Sequence, residues 1–560
     1  MEYRLALKSS IGKRKRLLLR VMPHQSVGTQ TEVLGDACEA SLPASSDRRH
    51  APISIRRHTQ GPIVNLWLAL IVVLGAVIVI VDGFTRPSDS GFGPLLLGPL
   101  EYQPYRFAFL LAAVSFPLVI GYSRKSRISL TEGLFLWFVF NLTAYTKDFS
   151  YLRWPGAPVF VADVVLLLLL FSIYFLPRYR TDRRKPAFVY SSLFLFLGAG
   201  LVSAIRGLLD HRDTMLVLRD LALTVYPWFL FVGHHLCRAW VTFRRVAAWF
   251  LLGASLSVLN GLAWFLTGQE QGRFLNHGVY VLIALVGVLL ATMRRSLSLR
   301  IGCILVGLLC LGLILANARS LFVSLAIVIL VGLLTGQFLR GKTDHVIASV
   351  AAAIVSLFLV SFFLLHIRGG RSFAERSVDE LASGVLNAHQ DPNWQFRLIA
   401  WKEAWRRFQA HPLAGEGFGV PFTFEIWDND PRPHNTFLTV LYKMGLSGFL
   451  ALFALLAYFF WSTAQSIHRN SKNPRVALLQ IVFLAQVSFC CFGSANLLLE
   501  SPFLASLFWT GIGVGLRMVQ LLEVEGSLRA CPRRVDRTRT LSDATGAAQA
   551  PILGTQGPQG

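Results

Sequence analysis

The chain has 560 residues, of which 54% are hydrophobic and only 15% are charged. This composition excludes an ordinary soluble globular protein and is typical of a protein that crosses a membrane many times. The formal net charge of +23 would also fit a nucleic-acid partner. Whether the charge indicates such a partner depends on where the basic residues lie along the chain.

The first 60 residues carry 11 Lys or Arg, including the run GKRKRLLLR from Gly12 to Arg20. Because they show no sustained hydrophobic period, residues 1–60 are predicted to form a disordered basic cytoplasmic tail. The basic run either enforces the orientation of the chain or binds anionic lipid head groups. No signal peptide is predicted, since the first long apolar run begins near Ile63 and lacks a small-residue cleavage site.

Apolar runs long enough to cross a bilayer as helices, roughly 17–25 residues each, dominate the rest of the chain. Backbone groups in lipid must be paired within their own segment, and the runs lack the alternation of transmembrane strands. The predicted fold class is therefore an all-α polytopic membrane protein with about 12–14 transmembrane helices. The predicted spans are 63–83, 105–121, 129–145, 158–176, 187–205, 215–236, 246–267, 277–292, 301–316, 320–339, 346–366, 435–460, 476–493 and 502–521.

Basic residues are distributed unevenly between alternate connections. With the amino terminus inside, the six short cytoplasmic loops hold 19 Lys or Arg, whereas the six short external ones hold about seven. This asymmetry follows the positive-inside rule, so the charge is interpreted as a topology signal and no nucleic-acid partner is predicted. Both termini are then cytoplasmic. The predicted regions are 61–366 with helices 1–11, 435–522 with helices 12–14, and 523–560 as a second disordered cytoplasmic tail.

One long connection, residues 367–434, is predicted to be an external loop that contains short amphipathic helices. It holds eight Lys or Arg against nine Asp or Glu, so it is close to neutral. Apolar side chains from Phe396 to Phe408 follow helical spacing, which predicts a helix that lies on the membrane surface or packs across the bundle. Trp401 and Trp405 on this helix are interpreted as packing residues.

Charged or titratable groups at the outer ends of apolar helices are often functional. His434 in PRPHNTFL stands where the loop meets the next apolar run. An unperturbed imidazole titrates near pH 6.5, so it can take a proton from a hydroxyl nucleophile. Asn435 can cap the following helix or orient the ring. The alternative is that His434 is itself only part of a helix cap.

Three arginines are candidates for holding an anion. Arg319 in LANARSLF lies between two apolar runs, Arg273 in GQEQGRFLNHG lies in an external turn, and Arg397 lies on the predicted amphipathic helix. A guanidinium offers paired donors that fit phosphate oxygens. Each residue also has a structural interpretation, as an interfacial arginine, an ordinary turn residue or a packing residue respectively.

The order of motifs from about Gly272 to Gly448 resembles the O-antigen ligase and O-antigen polymerase superfamily of bacterial envelope glycosyltransferases. The motifs are GRF, ARS, RL-x-x-W-x-x-A, HP-L-x-G-x-GFG, PHN-x-FL and G-x-x-G. In that family a large periplasmic loop between late helices carries the histidine, which implies that residues 367–434 form a periplasmic loop of a bacterial inner-membrane protein. The first 260 residues resemble the family only in hydropathy.

The resemblance implies transfer of a glycan from undecaprenyl pyrophosphate to a sugar hydroxyl, on lipid A core or another envelope acceptor. His434 would be the catalytic base, and Arg319, Arg273, Arg397 and Asn435 would bind the substrate. Guanidinium groups can stabilise a leaving diphosphate without a metal, so neither metal nor cofactor is expected and the anomeric carbon would be inverted. The expected partners are the lipid-linked donor, a lipid or glycan acceptor, and membrane lipids.

Two alternatives remain open. A polymerase of the same superfamily would extend the glycan by repeat units, although PHN-x-FL after a single long loop slightly favours a ligase. A secondary transporter would also show many helices and charges at the membrane midplane, but here the polar residues gather at the outer face and in one loop, and the two halves show no repeat. If His434 is not the base, the next candidates are Glu416, Glu425 and Asp428.

Overall fold

The computed structural model of the chain describes most of the apolar segments and part of the long loop. The described residues are 62–85, 103–152, 159–176, 187–267, 274–275, 278–336, 391–423 and 432–530, with a few isolated positions between 347 and 375. Arg273, Asn276, Glu425, Asp428, the predicted span 346–366, residues 1–60 and residues 531–560 lie outside this description, apart from isolated positions in that span.

Helices occupy nearly all of the described ranges, and they fall on thirteen of the fourteen predicted spans. Their bounds are α1 Pro62–Thr85, α2 Gln103–Lys125, α3 Leu130–Ser150, α4 Val161–Phe175, α5 Ala187–Leu209, α6 Thr214–Val225, α7 Phe229–Leu236, α8 Trp240–Leu266, α9 Val279–Met293, α10 Leu299–Ala316, α11 Arg319–Leu334, α12 Pro392–Ala410, α13 Thr436–Arg469, α14 Val476–Gly493 and α15 Pro502–Ala530.

Within the described part of the chain, nine helical segments are long and apolar enough to cross a membrane. They correspond to α1, α2, α5, α6 with α7, α8, α10, α13, α14 and α15. Three further apolar helices, α4, α9 and α11, have 15 or 16 residues. At 1.5 Å per residue they extend for only about 22–24 Å. The predicted class, an all-α polytopic membrane protein, is confirmed.

Two predicted boundaries differ from the structure for local reasons. The span 215–236 is divided into α6 and α7 by a 3₁₀ turn at Tyr226–Trp228, because Pro227 cannot donate a helical hydrogen bond. At the carboxyl end, α15 continues to Ala530, past the predicted boundary at 522. There Glu525 accepts a hydrogen bond of 2.8 Å from the Trp240 indole and forms an ion pair with Arg475, which holds the helix together beyond its apolar part.

The core consists of helices packed along each other. α8 packs against α1 and α3, α15 packs against α7, and α13 packs along α5. Most residues of α3 are buried although it carries Glu132 and Asp148, so it is an inner helix of the bundle. The loop helix α12 packs against α13. We call the end of the bundle at which α13 begins the site end, because the predicted site residues gather there.

Candidate active site around His434

The motif HPLAGEGFG forms a turn that directly follows α12. Gly415, Gly417 and Gly419 have φ values of +70°, +94° and +80°. This left-handed region favours glycine, because a Cβ atom would clash with the backbone. The three glycines of the motif are therefore required by the path of the backbone. We call residues 411–419 the glycine turn.

The glycine turn docks at a break in α13. Gly445 inside this helix has φ +65° and ψ −166°, so the helix does not continue through it. The N–H of Glu416 donates to the carbonyl of Tyr442 at 2.7 Å, and the N–H of Leu446 donates to the carbonyl of Pro412 at 2.8 Å. The turn thus supplies partners for backbone groups that the broken helix leaves open.

Replacing Gly445 by alanine should destabilise this docking by about 2–5 kcal/mol, combining backbone strain with overpacking. A Cβ atom there would lie 2.4 Å from the carbonyl oxygen of Leu413 and 2.5 Å from the nitrogen of Gly415. We expect a clearly lower thermal unfolding temperature for the purified protein in detergent.

Gly198 provides the matched control for that substitution. It lies inside α5, and a Cβ atom built on it meets no other atom within 4 Å. Gly198→Ala should therefore leave the unfolding temperature unchanged or raise it slightly, since alanine is the better helix former. If both variants unfold at the wild-type temperature, the close approach at Gly445 is wrong.

A buried ion pair fixes the part of α13 before its break, residues 436–444, to α6. The side chains of Lys443 and Asp220 are only 3% and 2% exposed. The Asp220 carboxylate also accepts a hydrogen bond of 3.0 Å from the N–H of Gly419. One carboxylate therefore holds both the helix and the glycine turn. Breaking such a buried pair costs roughly 3–5 kcal/mol, so loss of either side chain should destabilise this framework.

His434 lies just before α13, in left-handed backbone with φ +47°. The next residue, Asn435, caps the helix, because its Oδ1 accepts a hydrogen bond of 3.0 Å from the N–H of Leu438. The capping role considered for Asn435 is thus confirmed. His434 itself precedes the cap, and its half-buried ring remains available for another role.

α12 forms one wall beside the histidine. The ring of Phe396 stands edge-on to the imidazole, with 6.0 Å between the ring centroids. The indole N–H of Trp401 donates to the carbonyl of Pro433 at 2.8 Å. Phe396 and Trp401, both on α12, therefore contact His434 and Pro433, and these contacts help to position the imidazole.

The turn between α14 and α15 also contacts the chain around His434. Thr436 donates its hydroxyl hydrogen to the carbonyl of Asn496 at 3.1 Å and accepts from the N–H of Leu498 at 2.7 Å. Two residues before His434, Arg432 forms an ion pair of 3.1 Å with Glu500, a carboxylate that is 3% exposed. Residues 432–436 are thus held by contacts with α12 and with the α14–α15 turn.

The electrostatic surroundings of His434 favour its neutral form. Burial, and then the positive charges of Arg397 and Arg432, lower the pKa of the imidazole to about 4. The ring is therefore neutral at neutral pH and can accept a proton, although it is a weaker base than an imidazole in water. An anion bound beside the two arginines would oppose their effect and raise this pKa.

Arg319 is the first residue of α11, and it forms an ion pair with Asp391. Asp391 immediately precedes α12, and its side chain is 4% exposed. Arg397 follows six residues later, which corresponds to about 9 Å along the helix. The structure thus brings Arg319, Arg397, His434 and Asn435 to the site end. Arg319 is oriented by a carboxylate and still has N–H groups beyond the one that this pair uses.

Arg273 lies outside the described residues, so its predicted role stays a prediction. Phe274, the next residue, is buried and donates its N–H to the carbonyl of Leu315 at 3.0 Å. Leu315 is in the last turn of α10, close to Arg319. Position 274 is therefore anchored beside the α10–α11 connection.

Of the alternative bases, only Glu416 lies in the described part of the chain. It forms an ion pair of 3.3 Å with Arg407 and sits in the glycine turn. Its N–H contacts Tyr442, which is about 9 Å further along α13 than Thr436. Its position and its partner give Glu416 a structural role, and its role as an alternative base stays a prediction.

Sequence reasoning did not identify Arg432, Glu500, Asp391 or the Lys443–Asp220 pair. Signals for two of them were present, since Lys443 and Asp220 are isolated charges inside apolar runs, where charges are costly. Arg432 lies within the PRPHN motif, two residues before His434, so its place in the sequence was also a signal. Glu500 and Asp391 are lone acids beside apolar or aromatic residues, and nothing local reveals that each would meet an arginine.

The segment that carries this site matches a known family. Residues 280–453 match the family model described as O-antigen ligase. The match includes Arg319, Arg397, His434 and Asn435 and ends inside α13. A search of curated proteins finds no match. Residues 280–453 are thus similar to the O-antigen ligase family, which confirms the resemblance and supports a ligase- or polymerase-type glycosyltransferase of envelope polysaccharide synthesis.

Proposed function

We propose that the protein is a ligase that moves a glycan from undecaprenyl pyrophosphate to a sugar hydroxyl of lipid A core or another envelope acceptor. The reaction takes place at the periplasmic face of the bacterial inner membrane. The observation that carries the proposal is an imidazole whose pKa is lowered by burial and by the charges of Arg397 and Arg432, at one end of a membrane bundle and within the matched segment.

The arginines account for the donor half of the reaction. When the bond between the anomeric carbon and the diphosphate oxygen breaks, negative charge grows on the diphosphate. Guanidinium groups fixed in advance stabilise that charge without having to reorganise. The positive charges of Arg397 and Arg432 act on His434 and lower its pKa. Arg319 lies at the start of α11, and its ion pair with Asp391 orients it. These three side chains hold the leaving group.

His434 accounts for the acceptor half. A sugar hydroxyl is a poor nucleophile, so removal of its proton as the new bond forms lowers the barrier. The hydroxyl oxygen attacks the anomeric carbon from the face opposite the diphosphate, its proton passes to the imidazole, and the configuration inverts. The bound diphosphate raises the pKa of the imidazole, which strengthens the base when the donor is in place.

The proposed reaction is independent of divalent metal. Its positive charge comes from guanidinium groups, which take the place of a cation that carboxylates would hold. Two carboxylates at the site end, Asp391 and Glu500, are each engaged by an arginine. Among the residues that the structure describes, no group of three His, Cys, Asp or Glu side chains is arranged to hold a metal ion.

A deletion strain tests the proposed function and separates it from that of a polymerase. Without a ligase, the lipid A core should lack the attached glycan, and finished glycan should accumulate on undecaprenyl pyrophosphate. Loss of a polymerase would instead leave single repeat units attached to the acceptor. Complementation with the wild-type chain should restore the normal pattern. Unchanged envelope glycans in the deletion strain would contradict both activities.

A further inference from the structure

The backbone of His434 adopts a conformation that residues with a Cβ atom disfavour. Its φ of +47° lies in the left-handed region, which costs a residue with a Cβ atom roughly 1–2 kcal/mol. Such a conformation persists only where surrounding contacts hold it. A contact that fixes the peptide bond before His434 would serve this purpose, because rotation of that peptide plane changes φ of His434.

Trp401 makes such a contact. Its indole N–H donates to the carbonyl of Pro433, which belongs to the peptide bond joining Pro433 to His434. The indole is itself held, since its ring packs edge-on against Trp394 with 5.7 Å between centroids. The same helix carries Phe396 against the imidazole. α12 therefore holds both the backbone and the ring of the histidine.

We propose that Trp401 is a positioning residue for His434, whose hydrogen bond to the Pro433 carbonyl holds the left-handed turn that places the imidazole in the site. The inference rests on the proposed function in that it gives the catalytic base a fixed position. Trp401 does not act on the substrate itself. Its effect passes through the peptide bond before His434.

Loss of this hydrogen bond has an electrostatic consequence. Three charged groups face the imidazole or its neighbours: Arg397 on α12, Arg432 on the same segment, and Glu500, which pairs with Arg432 from the α14–α15 turn. If the turn relaxes, the ring leaves Phe396 and the arginines for water. The pKa of His434 then rises from about 4 toward the ordinary value near 6.5.

The test compares two tryptophans of the same helix. Trp401→Phe keeps an aromatic ring but removes the N–H donor. Trp405→Phe is the control, since Trp405 is one turn further along, is 47% exposed and packs against Phe408. Trp401→Phe should lower kcat about 10-fold or more with little change in KM for the donor, whereas Trp405→Phe should match the wild type. Trp401→His, which restores a ring N–H, should recover part of the loss.

The position of the ring is measured directly by a histidine NMR titration. In protein labelled at histidine, the His434 signal is identified by its disappearance in His434→Gln. Its pKa should be near 4 in the wild type and in Trp405→Phe, and clearly higher in Trp401→Phe. An unchanged pKa in folded Trp401→Phe overturns the inference, even if its kcat is lower.

The titration does not depend on whether His434 is the base, so the two proposals can fail separately. If His434→Gln transfers glycan at the wild-type rate, the proposed function of His434 is wrong, and the titration still decides whether Trp401 positions the ring. If His434→Gln is inactive while Trp401→Phe keeps the wild-type pKa, only the positioning role is refuted.

Discussion

Replacing His434 by alanine should lower the turnover of glycan transfer about 10²-fold to 10⁴-fold, the range typical of general acid–base groups. Donor binding should remain nearly intact, because the imidazole acts only when the acceptor hydroxyl attacks. His411→Ala is the matched control in the same part of the chain, since its side chain is exposed in the glycine turn. It should transfer glycan at the wild-type rate. Near-normal turnover of folded His434→Ala would mean that the base lies elsewhere.

The pH dependence of the wild type should show the lowered pKa of His434. Protonation removes the base, so the rate falls as the pH drops through the pKa. For kcat/KM, which reports the free protein, this limb should lie near pH 4. For kcat it should lie at higher pH, because the bound diphosphate opposes the charges of Arg397 and Arg432. A limb near pH 6.5 for kcat/KM, or the same limb in His434→Ala, would contradict this assignment.

Replacing Arg319 by lysine should weaken donor binding and lower turnover together, by roughly 10²-fold in kcat/KM. Lysine keeps the positive charge but loses the planar arrangement of donors that fits two phosphate oxygens. Binding of the lipid-linked donor and initial transfer rates would be measured in the same detergent. Donor binding at the wild-type level would show that Arg319 only forms a structural ion pair with Asp391.

Replacing Asp391 by asparagine tests whether the orientation of Arg319 matters in addition to its charge. It removes the carboxylate that holds the guanidinium but leaves Arg319 in place. If Asp391 acts by orienting Arg319, this variant should also weaken donor binding, and the double variant should be little worse than Arg319→Lys alone. Full additivity of the two losses would mean that the residues act independently.

The class of the protein could be predicted because the hydrophobic signal of a membrane helix is local and strong. Every predicted span that falls in the described ranges contains a helix, although Pro227 and the contacts of Glu525 shifted two boundaries. These details depend on one proline and on a contact between α8 and α15. Hydropathy averaged over a window does not register either of them.

The candidate site was predicted only in part, because its contacts join distant parts of the chain. His434 and Arg319 were recognisable from their own surroundings, but the partners of the arginines were not. Asp391 is 72 residues from Arg319, and Glu500 is 68 residues from Arg432. Trp401 was interpreted as a packing residue from its helical spacing, whereas the structure shows that its N–H holds the peptide bond before His434. An ordinary imidazole has a pKa near 6.5, whereas burial and two arginines lower the pKa of His434 to about 4.

The most direct measurement is glycan transfer by the purified protein in lipid vesicles that contain excess EDTA. The substrates are labelled glycan on undecaprenyl pyrophosphate and lipid A core as acceptor. We expect labelled glycan to appear on the acceptor with one undecaprenyl pyrophosphate released per transfer, and we expect His434→Gln to form no product above background. Absence of transfer by the wild type, or transfer that requires added magnesium or manganese, would contradict the proposal that arginines and His434 carry the reaction.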